Sequence, residues 1–297
     1  MPRPTFLSLA LFAAFGLLGP FETARATITW SGNLDPANPT TWTFSTDGHI
    51  GKTADGTLTV DGDSDLLSRI GYIAYESGTT GHVTVTGEGS TWTNGGCVGS
   101  NLYIGRGGSG TLAVSDGGRL YDDFGYIGYE TGSTGVATVD GAGSMWTNNS
   151  KVRVGYYGAG TLAITGGGKV SDEVGNIGYL SGSTGVATVD GAGSTWTNTG
   201  TLYVGLHGIG TLSITGGGSV FNGYASNGYG FIGYQSGSTG TVTVDGAGST
   251  WTNVSSLHVG CNGAGTLAIV GGGLVSVRDG LTIDYDSDGD SFINMST

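Results

Sequence analysis

The chain has 297 residues, 62 of them Gly, with 11% charged residues and a formal net charge of −13. Glycine without a G-X-Y period excludes collagen, and a hydrophobic fraction of 37% is too high for a disordered chain. The acidic balance excludes nucleic-acid binding and docking on anionic lipid, and a composition dominated by Gly, Ser, Thr and Val points to an all-β chain with many tight turns.

At the N-terminus, Arg3 precedes an apolar run from Phe6 to Leu18 and an Ala24-Arg25-Ala26 triplet. This pattern reads as a secretory signal peptide over residues 1–26, cut before Thr27. A membrane anchor is the weaker reading, because the run is short and is followed closely by Gly19 and Pro20. No later segment is long and apolar enough to span a membrane as a helix. Without Arg3, Glu22 and Arg25, the mature part holds 8 basic and 22 acidic residues, a balance of −14. The expected location is extracellular or on the outer cell surface.

Residues 27–55 are expected to form an N-terminal capping coil, a degenerate first unit in which Trp42 lies nine residues before Gly51, as Trp196 lies nine before Gly205. Residues 56–283 then repeat. The glycines that open each strand-like run are Gly56, Gly81, Gly110, Gly135, Gly160, Gly185, Gly210, Gly240 and Gly265. They are 25 residues apart except for steps of 29 and 30, where turns are extended near residues 97 and 223–230. An evident 50-residue repeat is therefore two 25-residue units, and TGVATVDGAGSTWTN (184–198) has a plainer partner in IGTLSITGGGSVFN (209–222). Leu162 with Ile164, and Val242 with Val244, alternate with small or polar neighbours, which is the period of a strand. Each unit holds three short strands, such as VATV, STWT and LYV, separated by Gly-rich turns.

Strands that recur every 25 residues suit a solenoid in which each pairs in parallel with its copy one coil on. The expected fold is an all-β, right-handed parallel β-helix of about ten coils, roughly 25 residues per coil and about 48 Å long at a strand spacing of ~4.8 Å. A β-propeller of 50-residue blades fits less well, since a blade has no reason to be an internal duplicate. Cys97 and Cys261 fall some six coils apart, about 29 Å by the same spacing, so they are not expected to pair.

The run GSTGVATVDGAGSTWTN…TLYVGLHGIGTLSITGGGSV (182–220) resembles the repeat shared by the passenger regions of type V secretion autotransporters and by PEP-CTERM surface proteins. The resemblance covers roughly residues 41–285 and rests on the Val-Asp-Gly-Ala-Gly-Ser-Thr-Trp-Thr-Asn string. It implies a β-helical surface or extracellular stalk with no assigned catalytic residues. The sequence to Thr297 holds neither the alternating amphipathic region of an autotransporter barrel nor a Pro-Glu-Pro tail. That leaves a truncated form, a released protein and another anchor all open.

Candidate sites are few. The four His and the basic residues are scattered over different coils, and no constellation of acid, base and nucleophile is apparent, so the chain is not expected to be an enzyme. Gly105-Arg106-Gly107-Gly108-Ser109-Gly110 matches a dinucleotide fingerprint but runs into a strand, TLAV, where that motif needs a helix. Asp140, Asp190 and Asp245 each precede Gly and read as turn residues that use their own side chains. Within the acidic C-terminal segment 284–297, Asp284, Asp286, Asp288 and Asp290 are candidate calcium ligands, since D-x-D-x-D-G follows the first half of an EF-hand loop. Met295 stands where that loop requires Glu. Aligning the two unit types puts Trp92, Trp146, Trp196 and Trp251 in one column with Tyr121, Ser171, Phe221 and Ser276. The Arg119/Lys169 slot two residues earlier then shares their face, so the tryptophans are expected to point outward, as candidates for stacking on sugar rings or simply as cover for strand edges.

The sequence thus describes a secreted or surface β-helical repeat protein for spacing, adhesion or matrix assembly, without a cofactor unless calcium binds the C-terminal loop. Its partners would be extracellular matrix, surface polysaccharide or protein. The competing description is a polysaccharide-binding or polysaccharide-degrading β-helix.

Overall fold

A computed structural model describes residues 26–95, 99–223, 228–284 and 290–296. The leader reading over 1–26 therefore falls almost wholly outside the described residues, as does Cys97; Cys261 is buried. One coil, opened by Gly185, shows the plan: a seven-residue strand Thr184–Asp190, a four-residue strand Thr195–Asn198 and a three-residue strand Leu202–Val204. Each pairs in parallel with its copies in the coils before and after, giving three ladders along the rod. The nine opening glycines from Gly56 to Gly265 stand in one unbroken register. This is a parallel β-helix, and parallel pairing of equivalent strands rules out antiparallel propeller blades. In two coils the second and third strands run on as one, Arg119–Ile127 and Met145–Val154.

The N-terminal segment departs from the expected tenth coil. Thr27–Gly32 folds back antiparallel on Gly56–Asp61, and Leu34–Asp35 pairs antiparallel with His49–Ile50. Trp42 is buried over Gly48, and its indole N–H donates to the Pro36 carbonyl at 3.0 Å. An antiparallel strand blunts the edge that a parallel stack would otherwise present. At the other end Leu274, Leu281, Phe292 and Met295 are at least half exposed.

The core contradicts the outward placement of the tryptophans. Trp92, Trp146, Trp196 and Trp251 are 0% exposed. The register pairs Trp146 with Leu120 and Val170, and Trp196 with Val170 and Val220, one residue away from the Tyr121, Ser171 and Phe221 of the sequence alignment. The reason is turn length. Asp190 to Thr195 contains one more residue than Thr215 to Ser219, although both link the same pair of ladders. A slip of one residue turns every side chain of a strand to the opposite face. The Arg119/Lys169 slot accordingly shares its column with Met145, and that column faces outward.

The buried tryptophan explains why the period is 50 residues and not 25. Along the second ladder the inward position alternates Leu66, Trp92, Leu120, Trp146, Val170, Trp196, Val220, Trp251. Along the third it alternates Gly71, Leu102, Gly125, Val152, Gly175, Leu202, Gly230, Leu257. A Cβ on Gly71 would lie 2.6 Å from Trp92 Cζ2, and one on Gly125 would lie 2.6 Å from Trp146 Cζ2. At these two glycines the indole of the next coil is close enough that even a methyl group would collide; at Gly175 and Gly230 a Cβ would lie 3.0 Å from the indole Cζ2, and the nearest atoms are Asn198 Oδ1 and Asn253 Oδ1, at 2.4 and 2.5 Å. The first ladder compensates as well: Ala137 and Ala187 share coils with Trp146 and Trp196, whereas Leu112, Leu162 and Leu212 share coils with Leu120, Val170 and Val220. Alternating large and small residues keeps the interior at uniform density.

Replacing Gly125 by Ala is expected to lower unfolding free energy by about 1–3 kcal/mol, the usual cost of overpacking a filled core. Chemical denaturation measures this. An unchanged midpoint would mean that the Trp146 indole has room to move.

Candidate functional site

The inward end of each second strand is polar. Ser68, Asn94, Asp122, Asn148, Asp172, Asn198, Asn222 and Asn253 form a buried column, none more than 4% exposed. Asn198 Nδ2 donates to Asn222 Oδ1 at 3.1 Å, and Asn222 Nδ2 donates to Asn253 Oδ1 at 2.7 Å. Trp92 Nε1 donates to Ser68 Oγ at 2.9 Å, and Trp146 Nε1 lies 3.3 Å from both Asp122 carboxyl oxygens. At Asp172 neither oxygen has a partner in bonding geometry, although the Trp196 indole lies near enough to act on the carboxyl. Burial pushes both carboxyls well above the ordinary carboxylate range, opposed in each case by the adjacent indole N–H; Asp123 and Glu173 nearby push the same way as burial.

The turn chemistry differs from the expectation in detail. Asp140 Oδ1 and Asp190 Oδ1 accept hydroxyl protons from Thr165 and Thr215 of the next coil, both at 2.6 Å. The turn itself is closed by Ser194 Oγ on the Asp190 carbonyl at 2.7 Å and by Ser249 Oγ on the Asp245 carbonyl at 2.6 Å.

Outside, the third ladder carries the feature that the tryptophan column was expected to supply. Its outward positions read His49, Tyr72, Tyr103, Tyr126, Arg153, Asn176, Tyr203, Phe231 and His258. The rings stack along the rod: Tyr72 on Tyr103 at 5.0 Å, Tyr103 on Tyr126 at 4.9 Å, Tyr203 on Phe231 at 5.0 Å and Phe231 on His258 at 4.9 Å. Around the corner a second column includes Tyr129, Tyr156 and Tyr179, stacked at 4.9 and 5.1 Å and edge-on to the first. Burial in the stack pushes the Tyr103 phenol up to about 12 and raises Tyr72, Tyr126, Tyr156 and Tyr203. Burial also lowers His49 and His258 below the ordinary imidazole range. Inside the stack each ring's faces are taken up by its neighbours, which leaves edges and hydroxyls for solvent.

The row breaks at Arg153 and Asn176. The Arg153 guanidinium lies 4.6 Å from the Tyr179 ring centre, 5.1 Å from Tyr126 and 5.4 Å from Tyr156, and its Nη1 donates to the Tyr126 hydroxyl at 2.8 Å. Beside this break Tyr157 is 47% exposed and borders a groove of about 260 Å³ with Thr131, Ser133, Thr134 and Thr184.

The four tryptophans are sealed in the core and cannot meet a sugar. Of the calcium candidates, Asp286 and Asp288 fall outside the described residues, while Asp284 and Asp290 flank that segment. Among the described residues no three His, Cys, Asp or Glu converge as a metal site, and no helix is long and apolar enough to cross a membrane. The tyrosine rows were marked in the sequence by the NIGY and FIGY runs, whose Tyr179 and Tyr234 recur together with Tyr129 at every second coil.

No protein-family model matches the chain, and no curated protein matches it. Among solved structures, a TibC-catalysed hyper-glycosylated TibA fragment is similar at 20% identity, over 84% of this chain and 91% of that one, with a TM-score of 0.21. The class of the molecule therefore follows from its own strand pairing: a parallel β-solenoid with an apolar interior that holds one polar column, and an aromatic outer row.

Asp122 and Asp172 give the fold a pH dependence of definite sign. Their folded pKa values lie above the unfolded value of about 3.9, so the folded state keeps protons that the unfolded chain releases. Their contribution is full below that pH and is lost as pH rises through the folded values. The double variant Asp122→Asn, Asp172→Asn continues the amide column. It is expected to be more stable than the parent by about 1–3 kcal/mol at pH 8 and nearly equal to it at pH 4. Parallel pH profiles for the two proteins in thermal melts would show that these carboxyls do not carry the effect.

Proposed function

We propose that the chain is an exported, non-enzymatic surface rod whose work is spacing and adhesion. The observation that carries this reading is the outer face of the third ladder. It presents one aromatic or polar side chain per coil in a row fixed by strand pairing, so contacts are repeated at the spacing of coils. Repetition of weak contacts on a stiff scaffold gains affinity through effective concentration without any single strong site. The distribution of the imidazoles supports the same reading. His49 and His258 are stacked into the row near opposite ends, and His82 lies on the first ladder. The leader-like stretch 1–26, the acidic surface and the resemblance of the 182–220 repeat to exported bacterial stalks support a place outside the cell.

The test uses the intact mature chain coupled to beads at several densities. Adhesion to polysaccharide-coated and cell surfaces is expected to rise more steeply than linearly with density, with no new reducing ends released from the polysaccharide. Release of reducing ends would overturn the non-enzymatic reading, and coated beads that adhere no better than bare ones would overturn adhesion.

A further inference from the structure

Eight tyrosine rings stand in unbroken contact on the outside of the rod. Tyr72 stacks on Tyr103 at 5.0 Å, Tyr103 meets Tyr129 at 4.8 Å, Tyr129 stacks on Tyr156 at 4.9 Å, and Tyr156 meets Tyr157 at 5.0 Å. Tyr75, Tyr126 and Tyr179 join from the sides. Phenol rings in contact pass an electron from one to the next, so an oxidising equivalent that strikes one of them migrates through the set. Two features fix where it comes to rest. A guanidinium lies over Tyr75, 4.2 Å from the ring centre, and another lies against Tyr126, Tyr156 and Tyr179. A cation over a ring holds its electrons and disfavours their loss. A tyrosyl radical must also shed the phenolic proton, and burial holds that proton on Tyr72, Tyr103, Tyr126 and Tyr156. Tyr157 differs on both counts. Among the described residues it is the one exposed tyrosine, at 47%, and neither guanidinium stands over its ring. Water is there to receive its proton, and its one ring contact is the phenol of Tyr156.

The surface around Tyr157 suits a second copy of the chain. The groove that the ring borders is lined by Thr131, Ser133, Thr134, Thr184 and glycines, with no charged side chain. In a chain of net charge −13, two copies meet there with little repulsion, and a two-fold contact sets the same residue of each against the other. We propose that Tyr157 is the outlet of the tyrosine network and the site at which two copies are joined covalently when a peroxidase with hydrogen peroxide supplies the oxidant. Each Tyr157 phenol gives up one electron and one proton, and the pair of them reduces one peroxide to two waters. The two phenoxyl radicals form a carbon–carbon bond between positions ortho to oxygen. The hydrogen on each of those carbons then moves to the oxygen, which restores both phenols.

The inference rests on the reading of the chain as an exported surface rod, displayed where neighbouring copies and a secreted oxidant meet. In the test, the intact mature chain is treated with a haem peroxidase and limiting hydrogen peroxide. Covalent dimer is read on denaturing gels, and the joined peptides are identified by mass spectrometry. The first link is expected between Tyr157 and Tyr157. Tyr157→Phe changes an exposed ring, so it keeps the parent's melting temperature and loses the dimer. Tyr156→Phe keeps the ring but removes the phenol that connects Tyr157 to the rest. Its dimer yield is expected to fall while oxidation products collect on the inner tyrosines, with circular dichroism as a check on folding. No dimer from the parent, an undiminished dimer from Tyr157→Phe, or a link at another tyrosine overturns the site. An undiminished yield from Tyr156→Phe overturns the role of the network. Bead adhesion is measured without peroxide, so it stands through any of these failures. Beads that do not adhere, from a chain that still links through Tyr157, overturn the adhesion reading and leave the site standing.

Discussion

The whole rod depends on how a tryptophan indole lies over a glycine one coil below. The indole is the largest side chain in the interior, and the only way to stack it at strand spacing is to remove its neighbour's Cβ. That demand spreads through the coil. A coil with Trp196 takes Ala187 on the first ladder and Leu202 on the third; the next takes Leu212, Val220 and Gly230. Two coil types that each fit only the other make a repeat of two coils, which is why near-identical sentences recur every 50 residues while the backbone repeats every 25.

Stability in such a rod is a sum over neighbouring coils, so a fault in one interface is local. The polar column shows the same logic in a costly form. Asn side chains bond along the rod in the C-terminal half, from Asn198 through Asn222 to Asn253. In the middle, Asp122 and Asp172 replace the amide, and burial raises both carboxyls well above their ordinary range, which favours the protonated form. The ends follow from stacking too, with an antiparallel strand closing the first coil and apolar side chains exposed at the last.

Much of this was legible in the sequence, and the failures have one cause each. The coil spacing, the three strands per coil and the inward Leu162/Ile164 face follow from Gly positions and period-two alternation, which local chemistry fixes. The direction of Trp196 was not legible from alignment, because Asp-Gly-Ala-Gly-Ser and Thr-Gly-Gly-Gly look like equivalent turns and differ by one residue. Nothing in composition prices that residue, yet it decides which side of the sheet is dry. The roles of Asp122 and Asp172 were hidden for the same reason, since their column is defined only once the register is known. The tyrosine rows were in plain view, and their meaning depends on which face of the third strand is wet.

The outer row and the inner fit are two sides of the same strands, so the surface proposed for adhesion exists only if the core register holds. The most direct measurement is a double-mutant cycle on one indole–glycine pair, Gly125→Val and Trp146→Val, read by chemical denaturation. If the indole occupies the space above Gly125, the double variant should be more stable than the sum of the single losses predicts by at least about 1 kcal/mol, because each change relieves the other. Strict additivity of the two losses would contradict the account.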